Sequence, residues 1–275
     1  MTRIWRSMLY VPANVPRFVE KSATSGADAI LLDLEDSVPA AQKAEARAAL
    51  ATAIPIARAG GADVLVRVNR PLRQAVGDIE AAVAAGADGI LLTKVLGPDH
   101  VQLAAELLTG EMRIIPMIET AAALQRMAEI ARASPRIAGL LVGAEDLAAE
   151  CGAAADDDII AMAKRQMVLA AVAAGVAPLG TLGTVADYRD PEKIRALVAR
   201  SRRAGLVGAS CIHPSLVAIL NEGFSPSAAE LDLARRQIAA GEEAAREGRG
   251  SFVVDGMMVD EPILIRARRI LARGG

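Results

Sequence analysis

Arg113-Ile-Ile-Pro-Met-Ile-Glu119-Thr120 is an apolar run of strand length that stops at a carboxylate and passes into a helical pattern. Strands of a parallel sheet covered on both faces read as continuous apolar runs, and ligands collect beyond their carboxyl ends. The same pattern recurs at Ile137-Ala-Gly-Leu-Leu-Val-Gly-Ala-Glu-Asp146, so two successive exits carry acids. If the strands are neighbours in one barrel, Glu119 and Asp146 can converge on a hard divalent cation, which prefers oxygen ligands and keeps waters for a substrate to displace. The alternative is that either acid only favours the start of the next helix, worth about 0.3–1 kcal/mol.

The chain is 275 residues long, a length suited to one large α/β barrel of about 250 residues. Hydrophobic residues make up 53% but aromatics only 2%, so the core must be built from Ala, Val, Leu and Ile, the filling of barrel strands. A net charge of −2 without a long Lys/Arg block makes nucleic acid and anionic membrane poor partners. Cys151 and Cys211 form no CxxC pair or metal-ligand spacing and read as free thiols of a reducing compartment. The apolar runs fall far short of the roughly 20 residues of a membrane span, and no signal-peptide pattern is seen. A cytoplasmic protein is expected.

In chain order, apolar runs at Ser7–Val11, Ala29–Leu34, Asp63–Asn69, Gly89–Lys94, 113–118, 137–142, Val176–Leu179 and Gly208–His213 alternate with Ala-rich helical segments. Eight strands with right-handed crossovers predict a (β/α)8 TIM barrel over residues 1–222, with its chemistry on the face where the acids emerge. Arg17 and Lys21, four apart, share a helix face; an ordinary solvated face is the alternative. Arg67 and Asn69 alternate with valines, which predicts that both point to one side, with Arg67 offering a planar fork to a carboxylate or acyl group; a buried structural salt bridge is the alternative. Asp156-Asp157-Asp158 reads as a helix start rather than a metal site, as does Asp190-Pro191-Glu192. Residues 223–275 read as a C-terminal helical and hairpin extension, a lid or oligomerisation element: Ser227-Ala-Ala-Glu230 is a capping box, a hairpin-like unit spans Ser251–Pro262, and Asp260 is either a functional acid or a helix cap.

Seven phrases in order, Leu9-Tyr-Val-Pro12, Leu32-Asp-Leu-Glu-Asp36, Arg67-Val-Asn69, Pro116-Met-Ile-Glu-Thr120, Gly143-Ala-Glu-Asp-Leu147, Ile212-His-Pro214 and Gly256-Met-Met-Val-Asp260, resemble the citrate lyase beta-subunit-like proteins of the HpcH/HpaI aldolase and citrate lyase superfamily. The resemblance implies a barrel in trimers or multiples of them that cleaves or forms a carbon–carbon bond in a 3-hydroxyacyl-CoA such as citryl-CoA, citramalyl-CoA or malyl-CoA. It implies Mg2+ held by Glu119 and Asp146, Arg67 on the oxo-acid or thioester oxygen, and Tyr10, Arg17 and Lys21 where relatives hold the CoA moiety. Asp260 corresponds to a tail aspartate delivered as acid/base from a lid, often over the neighbouring subunit's barrel.

Two departures bear on the acyl group. Leu179-Gly180-Thr181 stands where many relatives have Ile-Asp-Thr, so contact at Leu179 and Gly180 comes from backbone, and Ala13 replaces a common Gly. The competing expectations are a lyase beta subunit acting on an acyl-carrier-protein thioester, a pyruvate-type aldolase, for which His100 and His213 are poorly placed, and a silent CoA-ester-binding barrel.

Overall fold

Eight short parallel strands close on themselves: β1 (Ser7–Pro12), β2 (Ala29–Asp33), β3 (Asp63–Val68), β4 (Gly89–Leu92), β5 (Arg113–Ile118), β6 (Gly139–Val142), β7 (Ala177–Leu179) and β8 (Ala209–Cys211). The strand order is β7-β6-β5-β4-β3-β2-β1-β8. Its two ends meet where Leu179 bridges Gly208, Gly180 N–H donating to the Gly208 carbonyl at 2.7 Å and Val207 N–H to the Pro178 carbonyl at 3.0 Å. The expected (β/α)8 barrel is therefore present. This computed structural model describes residues 4–185 and 188–274, which fall into two compact units, Met1–Phe224 and Ser225–Gly275.

The period-two alternation of strands sorts side chains onto two surfaces. Met8, Leu31, Leu65, Leu91, Ile115 and Leu141 fill the barrel interior, while Leu9, Ile30, Val64, Ile90, Ile114 and Leu140 lie under the surrounding helices. Small helix residues such as Ala46, Ala53, Ala57 and Ala82, all buried, let those helices approach closely. The helices of this unit are α1 (Pro16–Ser22), α2 (Lys43–Arg58), α3 (Leu72–Ala84), α4 (Pro98–Glu106), α5 (Ala121–Gln125), α6 (Met127–Ile130), α7 (Ala144–Cys151), α8 (Asp158–Ala174), α9 (Pro191–Arg203) and α10 (Ser215–Phe224). The caps read from the sequence are made: Asp157 accepts from Ile159 N–H at 3.0 Å and Asp190 from Lys193 N–H at 3.1 Å.

Three local features differ from a plain alternation of strands and single helices. The helix after β5 is broken into α5 and α6 at Arg126 (φ −110°, ψ 11°). Two helices join β6 to β7, since α7 precedes α8: Glu145 and Asp146 occupy the first turn of α7 and Gly152, at φ 66°, ends it, a helix too short for periodicity to reveal. Arg67 and Asn69 do not point the same way, because β3 ends at Val68. Asn69 is buried and donates to Asp78 Oδ2 at 2.7 Å and to the Leu34 carbonyl at 2.9 Å, tying the loop to α3.

The second unit contains α11 (Ala228–Arg246), the antiparallel pair β9 (Phe252–Val254) and β10 (Met257–Val259), and α12 (Glu261–Arg273). The capping box forms, Ser227 Oγ accepting from Glu230 N–H at 3.2 Å and Glu230 Oε2 from Ser227 N–H at 2.8 Å. Asp255 and Gly256 both take positive φ, 53° and 78°, as a tight two-residue hairpin turn requires. Phe252, Val259, Leu264 and Ala244 form this unit's small core.

Candidate active site at the carboxyl ends of the strands

β5 and β6 lie side by side with Met117 opposite Leu141 and Ile118 opposite Val142, and Gly143 N–H donates to the Ile118 carbonyl at 3.0 Å. Glu119 therefore leaves the sheet beside Gly143. A Cβ at position 143 would stand 2.5 Å from Glu119 Cγ and 2.6 Å from its Oε1, so only glycine leaves room for this carboxylate. Glu119 is 2% exposed, and its Oε2 accepts from the Lys94 backbone N–H at 2.6 Å. It caps no helix, since the Thr120 side chain does that for α5, accepting from Ala123 N–H at 3.1 Å.

Burial pushes the Glu119 carboxyl up to about 7, with Asp146 and Glu35 adding to the rise and the Lys94 N–H opposing it. An acid in this condition is short of positive charge. Asp146 lies in the first turn of α7, where the helix dipole favours an anion, and its half-exposed carboxylate is 3.4 Å from Lys94 Nζ. It thus serves the helix end while still facing the same cluster as Glu119.

A second group flanks this pair. Arg67 turns its fork onto Asp33, Nε donating to Oδ1 at 2.7 Å and Nη2 to Oδ2 at 2.6 Å. Its Nη1 reaches Glu35 at 2.9 Å and Asp36 at 3.0 Å. Burial works against the guanidinium charge, but the Asp33 bonds outweigh it and raise the Arg67 pKa; the same bonds, against the burial of Asp33, hold that carboxyl low. The guanidinium carbon sits 4.9 Å from the Tyr10 ring centroid, a cation–π distance. The salt-bridge alternative for Arg67 is therefore realised, with the charge still at the mouth.

Sequence reading did not assign roles to Asp33, Glu35, Asp36 or Lys94. The acids at the end of β2 were visible as an exit, but their partners on β3 and β4 were not. The one signal for Lys94 was a lone cation closing the run Gly89-Ile-Leu-Leu-Thr-Lys94. Its Nζ lies 2.8 Å from Glu35 Oε1 and 3.8 Å from Asp36 Oδ1. Burial opposes its charge, yet the bond to Glu35 and the surrounding carboxylates raise its pKa.

The other expected residues are more scattered. Tyr10 packs with the barrel interior, whereas Arg17 and Lys21 are exposed on α1. Leu179 is buried at the barrel seam and Gly180 follows at φ 125°. Asp260 stands in the second unit at the N-cap position of α12, but its side chain makes no capping hydrogen bond.

Among the described residues no three of His, Cys, Asp and Glu form a ready-made metal cage. Glu119 and Asp146 nevertheless fit Mg2+, which is bound through one or two carboxylates and completes its octahedron with water and substrate oxygens. Both donors are hard oxygens, and the raised carboxyl of Glu119 gains most from an added cation.

The family model "HpcH/HpaI aldolase/citrate lyase" matches residues 6–214. A (3S)-malyl-CoA thioesterase of Cereibacter sphaeroides (strain KD131 / KCTC 12085) is 40% identical over 98% of this chain and 94% of its own. A citrate lyase subunit beta of Leuconostoc mesenteroides subsp. cremoris is 32% identical over 98% and 93%. The solved structure of protein CitE from Mycobacterium tuberculosis, in complex with magnesium, acetoacetate and coenzyme A, superposes with a TM-score of 0.83 at 30% identity, covering 100% of both chains.

Proposed function

The chain belongs to the HpcH/HpaI aldolase/citrate lyase family, and on that premise we propose that it is a Mg2+-dependent carbon–carbon lyase that cleaves or forms a 3-hydroxyacyl-CoA of the malyl-, citramalyl- or citryl-CoA class, giving an acyl-CoA and an oxo acid. The observation that carries the reading is the buried, charge-starved Glu119 beside Asp146 and the Arg67 cluster at the carboxyl mouth of the barrel. Glu119 and Asp146 would hold Mg2+, which would supply a Lewis acid for the oxo-acid oxygens.

The chain's own residues do the rest. Arg67, already fixed by Asp33, presents a preorganised positive charge for the oxygen on which negative charge develops. Cleavage breaks the C2–C3 bond: a base takes the 3-hydroxyl proton as the oxo acid forms, and the acyl-CoA enolate left behind takes a proton on C2; we assign this acid/base exchange to Asp260, whose carboxylate is not engaged in capping. Arg17 and Lys21 on α1 suit the phosphates of the CoA moiety, Tyr10 supports Arg67 from beneath, and the backbone at Leu179 and Gly180 faces the acyl group in place of a carboxylate. Exposed Ile159, Met162, Leu169 and Val172 along α8, and Val253, Met257 and Met258 on the hairpin, are apolar surface suited to a homo-oligomer, a trimer or a multiple of it. No helix among the described residues is long and apolar enough to cross a membrane, and a cytoplasmic setting agrees with two free cysteines.

A second reading is favoured by the malyl-CoA thioesterase relatives, the first of them at 40% identity: hydrolysis of the thioester, which uses the same polarised carbonyl but a water as nucleophile. Incubation with Mg2+ and a panel of 3-hydroxyacyl-CoAs separates the two. Release of oxo acid with acyl-CoA supports the lyase, whereas free CoA thiol with the intact hydroxy acid supports the thioesterase. Turnover only on a carrier-protein thioester would assign the chain to the work of a citrate lyase beta subunit, and no turnover on any would leave a CoA-ester-binding barrel.

A further inference from the structure

Lys94 is drawn into the mouth by both its main chain and its side chain, and none of the roles above uses it. Its φ of 47° puts a non-glycine residue in the left-handed region, a conformation that persists only where the surroundings over-determine it and that gathers at functional sites. The surroundings here do so. Before it, buried Thr93 donates its hydroxyl to the Val68 carbonyl at 2.9 Å; after it, Val95 N–H donates to the Met117 carbonyl at 3.4 Å. The twist between these anchors directs the Lys94 N–H onto Glu119 and carries the ammonium toward Glu35, Asp36 and Asp146.

Among the described residues, neither carboxylate of the Glu119/Asp146 pair has another hydrogen-bond or ion-pair partner. Asp146 in particular is half-exposed, and without the ammonium its side chain is free to turn to water. Glu35, by contrast, is held from two sides, by Lys94 at 2.8 Å and Arg67 at 2.9 Å, and so gives the ammonium a fixed anchor. We propose that Lys94 is a positioning residue for the carboxylate pair, its backbone N–H aiming Glu119 and its Glu35-anchored ammonium aiming Asp146, so that both are set in place for a divalent cation. The proposal rests on the reading of Glu119 and Asp146 as metal ligands and extends it to a residue which itself ligates nothing.

Charge and position make opposite predictions for this lysine. A positive charge beside a ligand repels a divalent cation, so its removal by charge alone should tighten metal binding. Loss of the group that orients a ligand weakens metal binding, by about 10- to 100-fold in metal sites of this kind. The sign of the change therefore decides.

The test is calorimetric titration of Mn2+ into the full-length wild type, Lys94→Met, Lys94→Gln, Lys94→Arg and Glu119→Ala, with circular dichroism melts to verify folding. Weakening of about 10- to 100-fold in Lys94→Met and Lys94→Gln, with recovery in Lys94→Arg, supports the proposal. Unchanged or tighter binding in the two neutral variants, while Glu119→Ala abolishes binding, overturns it and leaves the metal-ligand reading standing. Wild type that binds no Mn2+, or binding untouched by Glu119→Ala, overturns both. Failure of both neutral variants to fold makes Lys94 a residue of the barrel's stability and overturns the positioning role.

Discussion

Gly143→Ala offers a test of the carboxylate site that touches no charge. Gly143 has φ −79° and ψ 99°, values open to any residue, so the new methyl group acts through space and not through backbone strain. The added Cβ would lie 2.5 Å from Glu119 Cγ, whereas ordinary contact starts at 3.4 Å, so Cγ must retreat by about 0.9 Å. Glu119 is 2% exposed and pinned by the Lys94 N–H, which leaves the retreat little room except by breaking that bond. Metal–ligand distances tolerate shifts of only about 0.2 Å, and a misplacement of about 1 Å can cost roughly 10²-fold in turnover. Forcing a methyl group into a packed site also costs about 1–3 kcal/mol of stability. We expect Gly143→Ala to fold with a lowered melting temperature, to bind Mn2+ far more weakly than wild type by calorimetry, and to lose about 10²-fold in turnover. Wild-type Mn2+ affinity and turnover in this variant would refute the placement of Glu119 as a ligand.

Glu119→Ala and Asp146→Ala should each remove divalent-metal binding in a calorimetric titration while leaving the circular dichroism spectrum unchanged, because neither side chain belongs to the apolar barrel core. Asp260→Asn should lower kcat by about 10²–10⁴-fold with little change in KM. If Asp260 serves a neighbouring barrel, mixing this variant with Glu119→Ala should restore activity once subunits exchange; wild-type turnover in Asp260→Asn alone would return the residue to its N-cap position. In the metal-free protein, the native state holds a proton on Glu119 between its ordinary value of 4.5 and about 7, while the unfolded chain does not. Its contribution to stability is therefore present below pH 4.5 and is lost as pH rises through about 7. The melting temperature of wild type relative to Glu119→Gln should fall across that window while Mn2+ affinity rises, and a flat difference between the two proteins would contradict the buried-carboxyl account.

Much of this molecule was legible one segment at a time. The run 113–118 is a strand that ends at Glu119, the Ser227-Ala-Ala-Glu230 box opens a helix, Asp157 and Asp190 cap theirs, and eight apolar runs separated by helical segments make a closed parallel barrel. Each of these is a local matter: periodicity, capping and turn chemistry involve residues no more than about four apart. The sequence by itself therefore determined the barrel and the place of the two exit acids at the carboxyl ends of β5 and β6. What it did not contain in readable form was company. Whether Arg67 meets Asp33, and whether Lys94 meets Glu35 and Asp146, depends on strand register and on the curl of a closed sheet, which bring together residues 34, 59 and 52 positions apart. Asp33 stands opposite Arg67 only because β2 and β3 pair with Ala29 beside Asp63. Asn69 turned away from Arg67 because β3 ended one residue sooner than its alternation suggested. Only the tertiary structure decided which charges neutralise each other at the mouth, because a side chain's partner is set by the packing of the whole barrel and leaves no periodic trace in the chain.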